Sequence, residues 1–186
     1  AVDAAVMVID GAKGIEARTR KLFEICRLRD IPIITFINKM DRETREPLDL
    51  LDEIEKGLAL TVAPMVWPIG LGRAFVGTYD LNTPRVRRLD EDPAGQVVSG
   101  PDDPLFTTLL TPLQLATWRD EMELVRDLCH SFDRDAFLEG HLSPVLFGSA
   151  LRNFGVRDLL DTLIAHAPPP RDQQARHFVG VQRSLD

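Results

Sequence analysis

The sequence predicts an α/β fold in which helices flank a parallel sheet and an α+β subdomain is inserted into it. Two continuous apolar runs, residues 6–9 and 32–37, are typical of strands buried on both faces. Each is followed by an amphipathic helical pattern, at 16–29 and from Pro47. Alternating strands and helices favour a parallel sheet with right-handed connections. After residue 60 this alternation stops.

The insertion is predicted from short segments punctuated by Gly and Pro, at 62–70, 75–81 and 85–89. Such segments favour antiparallel pairing. The acidic stretch 90–104 is rich in Pro and Gly and predicts an exposed loop. A long helix is expected from Pro112, with core residues at helical spacing.

A further buried-strand run, residues 143–147, marks the return to the parallel sheet. An amphipathic helix follows, and the prolines at 168–170 end it and begin a linker. Residues 178–181 are interpreted as the first strand of a following β domain. We therefore expect a nucleotide-binding-type domain in two segments, 1–59 and 140–168. Between them lies an inserted subdomain, 60–139, and the linker with the next domain occupies 169–186.

Two short motifs stand at the ends of buried strands. Asn38, Lys39 and Asp41 form Asn-Lys-x-Asp, and Ser149 and Ala150 belong to a Gly-Ser-Ala segment. A carboxylate such as Asp41 can accept two hydrogen bonds from the N1 and N2 edge of guanine, which adenine cannot offer. The Lys39 stem can lie over the base, Asn38 can tie the loop, and a backbone N–H near Ala150 can donate to guanine O6. These five residues are the predicted guanine-binding set.

The separation between the motifs supports the predicted insertion. One strand–helix–strand unit needs only about 30 residues, and the segment from Asp41 to Gly148 is several times longer. Both motifs nevertheless follow strands of the same sheet. Because the carboxyl ends of parallel strands meet at one crevice, we expect Asp41 to lie close to the Ser149–Ala150 loop.

Bulk composition excludes several function classes. A net charge of −7 argues against a broad nucleic-acid-binding face on this chain. No apolar run approaches the length of a membrane span. Cys26 and Cys129 have no ligand spacing, which fits a reducing cytosol. The Arg-rich segment 85–88 is interpreted as one solvated face of a strand, and Trp67, Trp118 and Met122 as packing residues.

The chain resembles the translational GTPases over residues 18–30 and 31–42, and in its insertion it resembles the elongation factor G-like group. Residues 67–70, 75–81 and 148–156 are most similar to the bacterial peptide chain release factor three family. The resemblance covers essentially the whole chain except 90–104. It implies a cytoplasmic GTPase that binds GTP or GDP with Mg²⁺ and acts on the terminating ribosome to promote departure of class I release factors.

The resemblance carries over only where positions match. The sequence contains no Gly-x-x-x-x-Gly-Lys-Ser/Thr phosphate loop, and the family's magnesium-binding residues and switch segments have no counterpart in it. The chain opens without Met directly into its first strand, and is interpreted as the latter part of a GTP-binding domain. Phosphoryl transfer depends on positioning and charge at the phosphates, so we expect no hydrolysis by this chain alone and no catalytic or metal-binding residue in it.

Two alternatives stay open at this point. The chain can be a fragment of a different translational GTPase, such as an elongation factor G-like protein or a ribosomal protection protein. It can also be a binding module that kept the insertion and lost nucleotide chemistry. A phosphate loop encoded upstream would favour a GTPase over the binding module.

Overall fold

The computed structural model describes residues 2–89, 91 and 94–169, which form two four-stranded sheets and six α-helices. The strands are β1 (Ala5–Asp10), β2 (Ile33–Asn38), β3 (Thr61–Pro64), β4 (Val66–Ile69), β5 (Gly77–Asp80), β6 (Arg85–Arg88), β7 (Gln96–Val97) and β8 (Leu142–Phe147). The helices are α1 (Ala17–Arg27), α2 (Pro47–Leu58), α3 (Leu105–Leu109), α4 (Pro112–Leu128), α5 (Arg134–Leu138) and α6 (Val156–His166). The predicted strand at 178–181 lies outside the described residues.

The first sheet is parallel throughout, in the order β1-β2-β8-β3. Its central strands are apolar on both faces, as parallel strands between helices are expected to be. The one polar pair between them is satisfied internally, because the buried hydroxyls of Thr35 and Ser143 lie 2.8 Å apart and share a hydrogen bond. The predicted α/β fold with a parallel sheet is confirmed.

The parallel sheet has four strands where the sequence predicted three, near Val6, Ile34 and Leu146. The additional strand is β3, which pairs in parallel with β8. Its residues Val62 and Ala63 are buried like those of the central strands. Pro64 was one of the residues that predicted short antiparallel strands here. However, β3 is an edge strand, where a proline without an N–H loses no hydrogen bond between strands. The subdomain boundary at residue 60 stays a prediction, and the first strand beyond it belongs to the parallel sheet.

The second sheet is antiparallel, in the order β4-β5-β6-β7, as predicted for the insertion. Helix α4 packs against it, and the buried Trp118 indole donates to the Pro68 carbonyl oxygen at 3.0 Å. The helix begins with a capping box between Thr111 and Gln114. Trp67, Trp118 and Met122 are buried, which confirms their interpretation as packing residues.

The stretch predicted as an exposed loop, 90–104, contains a β-strand among its described residues. After Gly95, whose φ is +69°, the chain returns along β6 and forms β7. Val98 then enters the core. The loop prediction is therefore wrong at residues 96–98, where open edge groups of β6 provide partners that composition does not reveal.

Helix ends follow the sequence signals. Asp133 caps α5 by accepting the Ala136 N–H at 2.9 Å, and Gly140 follows that helix with a φ of +76°. Pro47 occupies the first turn of α2. Among the helices of the described residues, none combines the length and the apolar character that crossing a membrane requires.

Candidate functional site: the loops after β2 and β8

Asn38 joins the two loops that carry the predicted guanine motifs. It is the last residue of β2, and its Oδ1 accepts from the backbone N–H of Lys39 at 2.8 Å and of Ala150 at 2.9 Å. The second bond connects residues 112 positions apart. The parallel pairing of β2 with β8 makes this contact possible, because both strands end at the same edge of the sheet.

Backbone hydrogen bonds hold the same loops together. The Met40 N–H donates to the Gly148 carbonyl oxygen at 3.1 Å, and the Gly148 N–H donates to the Ile37 carbonyl oxygen at 2.9 Å. Lys39, between them, has a φ of +73°, an uncommon conformation for a residue with a side chain. A strained residue held by several bonds is typical of a functional loop.

Gly148 sits where no side chain fits. A Cβ at this position would lie 2.5 Å from the Phe154 carbonyl oxygen and 2.7 Å from Cζ of Phe36. The glycine therefore lets the end of β8 approach both the Phe36 ring and the returning chain. This close approach sets the position of the following residues, Ser149 and Ala150.

The Ser149–Ala150 loop is closed by its own backbone. Ser149 is fully buried and exchanges two hydrogen bonds with Phe154, at 3.0 and 2.9 Å. Its Oγ accepts the Arg152 N–H at 3.3 Å. The Ala150 N–H, near which we expected a donor to guanine O6, donates instead to Asn38. That donor stabilises the contact between the loops.

Asp41 provides the unfilled acceptor of the site. Its Oδ1 is shielded from solvent and has no hydrogen-bond partner among the described residues. Leaving a buried charged acceptor unpaired costs free energy, about 1–3 kcal/mol or more. The carboxylate follows the Asn38 junction by three residues, so a ligand that donates N–H groups would satisfy it there. Among the buried side-chain atoms of the described residues that have no hydrogen-bond partner, Oδ1 of Asp41 is the one carboxylate oxygen.

Asp10 is a member of the site that the sequence analysis had not singled out. It ends β1 directly opposite Asn38 in the β1–β2 register. Its Oδ2 accepts from Lys39 Nζ at 2.6 Å, and its Oδ1 accepts the Ala12 N–H at 2.9 Å. The hydrogen bond from Lys39 is the main cause that lowers the pKa of Asp10. Its position at a strand's carboxyl end was the sequence signal that could have identified it.

A cleft of about 490 Å³ lies elsewhere, between β5, α4 and residues 130–132. Tyr79 and Met122 line it, and none of the predicted site residues does. Its arginines are directed to neighbouring carboxylates, since Arg119 pairs with Asp102 and Arg126 with Asp127. Convergent polar groups mark a binding site, and the loops after β2 and β8 bring Asn38 and Lys39 together beside the unpartnered Oδ1 of Asp41.

The described residues contain no group of three or more His, Cys, Asp or Glu side chains placed to hold a metal ion.

Comparisons with known proteins agree with the fold described above. Residues 1–169 match the family model of the elongation factor Tu GTP-binding domain. A crystal structure of a protein from Thermus thermophilus is similar over 89% of this chain, with a TM-score of 0.62 and 18% sequence identity. The match spans 26% of that longer chain, and at this identity it shows a shared fold alone. Since the family match covers most of its length, the chain belongs to the elongation factor Tu GTP-binding domain family.

Proposed function

We propose that this chain recognises the guanine base in a translation-termination GTPase. The observation that carries the proposal is the buried, unpartnered Oδ1 of Asp41 beside two loops that Asn38 ties together. Guanine offers two adjacent N–H donors on one edge, and a carboxylate offers two acceptors. Adenine has no such pair of donors, so the same carboxylate would discriminate between the bases.

The other residues of the predicted set support this role. Lys39 is anchored at its ammonium end by Asp10, which leaves its aliphatic stem to cover a flat base. Ser149 and Ala150 hold the far side of the site through the Phe154 and Asn38 hydrogen bonds. A preorganised loop loses less conformational entropy on binding than a mobile one.

Hydrolysis belongs to the intact factor in this proposal. A phosphate cradle needs backbone N–H groups, a lysine and Mg²⁺, and the sequence holds no phosphate loop. We therefore expect the chain by itself to bind GDP poorly and to show no turnover. The intact protein would be the GTP hydrolase.

The termination role rests on the sequence resemblance of three segments to the release factor three family. Residues 67–70 include the end of β4, 75–81 include β5, and 148–156 comprise the loop after β8 with the first residue of α6. The proposed partners are therefore the ribosome and the class I release factors, in the cytoplasm. An elongation factor G-like or ribosomal protection role would use the same base-binding site with a different ribosomal complex.

The base-recognition proposal is tested by Asp41→Asn in the intact protein. An amide replaces one acceptor by a donor, so affinity for GDP should fall by at least about tenfold while xanthosine diphosphate becomes the preferred nucleotide. Asp49→Asn, a carboxylate in the first turn of α2, is the matched control and should leave both affinities unchanged. An Asp41→Asn protein that still prefers GDP would overturn the assignment.

The termination role is tested separately with purified ribosomes. Intact protein with GTP should accelerate departure of a labelled class I release factor from a ribosome whose peptide has been released. The Asp41→Asn variant should do so with xanthosine triphosphate instead. Acceleration of translocation without any effect on release factor departure would favour the elongation factor G-like alternative.

A further inference from the structure

We infer that the turn between β4 and β5, residues 70–76, positions both guanine-binding loops and thereby sets the base selectivity of the site. The turn belongs to the region predicted as an insertion, and its single-turn 3-10 helix spans Gly72–Ala74. The inference rests on the proposed function, because it concerns how the same site holds guanine. It assigns to the inserted sheet a role in nucleotide recognition.

The first contact joins the turn to the Asn-Lys-x-Asp loop. The Gly72 N–H donates to the Met40 carbonyl oxygen at 3.1 Å. Met40 is fully buried, and its own N–H donates to Gly148 of the second loop. Met40 is thus bonded to the turn on one side and to the loop after β8 on the other, directly before Asp41.

The second contact joins the turn to the loop after β8. The Phe75 ring meets the Phe154 ring edge to face, with centroids 5.6 Å apart and planes at 82°. Both rings are buried. Phe154 is the residue that exchanges two backbone hydrogen bonds with Ser149. Moving Phe75 would therefore move the residue that closes the Ser149–Ala150 loop.

The shape of the turn is specified by its glycines. Gly70 has a φ of +72°, and a Cβ there would lie 2.0 Å from the Ala74 carbonyl oxygen. Gly72 has a φ of +58°, and its Cβ would lie 3.3 Å from the Arg42 carbonyl oxygen. The Val76 N–H closes the turn by donating to the Ile69 carbonyl oxygen at 2.9 Å. A side chain at 72 would strain the turn and press it against the loop that carries Asp41.

These contacts make the turn a positioning element that acts through the loops. Recognition of two donors by one carboxylate depends on placement to within about 0.5 Å, which a supporting layer of packed residues must provide. Loss of that layer should reduce the penalty for a base that lacks one donor. The sensitive quantity is therefore the ratio of affinities for guanine and hypoxanthine nucleotides, which differ by the 2-amino group.

The experiment measures dissociation constants of the intact protein for GDP and inosine diphosphate. In Phe75→Ala and in Gly72→Ala we expect the preference for GDP over inosine diphosphate to fall by about threefold to tenfold, equivalent to part or all of one hydrogen bond. Inosine diphosphate affinity itself should change less, because hypoxanthine offers the carboxylate one N–H donor where guanine offers two. The two variants act on different contacts, so Gly72→Ala carries the test if Phe75→Ala does not fold.

Phe106→Ala is the matched control. Phe106 is also a buried ring of the region predicted as an insertion, but it packs on Tyr79 and Trp118 rather than on the loops. It should lower thermal stability and leave the nucleotide preference unchanged. The inference is overturned if the folded Phe75 and Gly72 variants keep the wild-type preference, or if Phe106→Ala reduces it equally. Asp41→Asn distinguishes failure of this inference from failure of the proposed guanine recognition. If Asp41→Asn switches the preference to xanthine and the turn variants have no effect, the inference is refuted and the proposed guanine recognition stands.

Discussion

The loops after β2 and β8 and the antiparallel sheet are stabilised in different ways. The loops contain few large side chains and are held by backbone hydrogen bonds and by the hydrogen bonds of Asn38. Gly148 also lets them approach each other closely, because it has no side chain. The antiparallel sheet is held by aromatic rings. Phe106 stacks on Trp118 with centroids 4.4 Å apart, and Tyr79 meets both rings edge to face.

The two regions also differ in the buried polar groups that they contain. In the antiparallel sheet the indole N–H groups have acceptors, since Trp118 donates to Pro68 and Trp67 donates to Glu121 at 3.2 Å. Each region contains a buried side-chain oxygen without a partner among the described residues, Oγ1 of Thr78 in β5 and Oδ1 of Asp41 in the loops. The first is a hydroxyl and the second a carboxylate oxygen, whose unpaired burial costs more free energy and which suits a ligand that donates N–H groups. Variants in the two regions should therefore separate stability from nucleotide affinity.

The largest expected effect is on stability, from Trp118→Ala. Removing a buried Trp side chain costs about 3–5 kcal/mol, and the Pro68 carbonyl also loses its donor. Hydrogen exchange of the β5 and β6 amides in the intact protein should report this loss as faster local opening. The preference for GDP over inosine diphosphate should stay at the wild-type value.

Leu113→Ala is the control for that prediction. Leu113 lies on the same helix, α4, but its side chain is 79% exposed. Truncating it should change the free energy of opening by less than about 0.5 kcal/mol. A Trp118→Ala protein whose β5 amides remain as protected as those of Leu113→Ala would show that the aromatic cluster does not hold the sheet.

Gly148→Ala is expected to destabilise the protein less than Trp118→Ala does and to weaken GDP binding more. The added methyl group must displace the Phe154 carbonyl and the Phe36 ring, which costs about 1–3 kcal/mol. The displaced Ser149–Ala150 loop should then bind GDP more weakly. Titration of the intact protein with labelled GDP measures this.

Gly140→Ala distinguishes crowding from backbone strain. Gly140 has a φ of +76°, like a strained position, but a Cβ there would meet nothing within 4 Å. The Gly140→Ala substitution should lower the free energy of unfolding only by the cost of a left-handed alanine, about 1 kcal/mol, and leave GDP affinity unchanged. Equal losses of GDP affinity in the two glycine variants would mean that the steric role assigned to Gly148 is wrong.

Much of the fold follows from local sequence. Continuous apolar runs identified β1, β2 and β8, and helical spacing identified α1, α2, α4 and α6. Strand ends also led directly to Asn38 and to the loop of Ser149 and Ala150. These features depend on periodicity and on capping chemistry, which are visible within a short window of sequence.

The features that the sequence missed depend on distant partners. β3 joins the parallel sheet because the edge of β8 is free to pair with it, and β7 forms because the edge of β6 is free to pair with it. Asp10 belongs to the candidate site only through its contact with Lys39, which lies at the end of the neighbouring strand. The contacts of Gly72 and Phe75 with the loops join the turn to elements on either side of it in sequence, and no composition or spacing indicates them.

The smallest expected effect compares Asp10, which lies beside the loops after β2 and β8, with Asp158 of α6. Asp158 pairs with Arg87 of the antiparallel sheet at 3.1 Å, and Arg87 also contacts Asp80. Burial is the main cause that raises the pKa of Asp158 above its ordinary value of 3.8, and Arg87 opposes the shift. At Asp10, the hydrogen bond from Lys39 lowers the pKa below 3.8. Asp158 should therefore take up its proton at a higher pH than Asp10.

The stability consequences have opposite signs. As pH falls toward 3.8, the folded protein takes up a proton at Asp158 before the unfolded chain does, so this group adds stability on acidification. The contribution of Asp10 is complete above 3.8 and is lost as pH falls through its lowered pKa. Carboxyl-carbon NMR of Asp-labelled protein, assigned with Asp10→Asn and Asp158→Asn, would measure both midpoints. A midpoint for Asp158 at or below that of Asp10 would contradict the contrast between a desolvated interface carboxylate and a lysine-paired one.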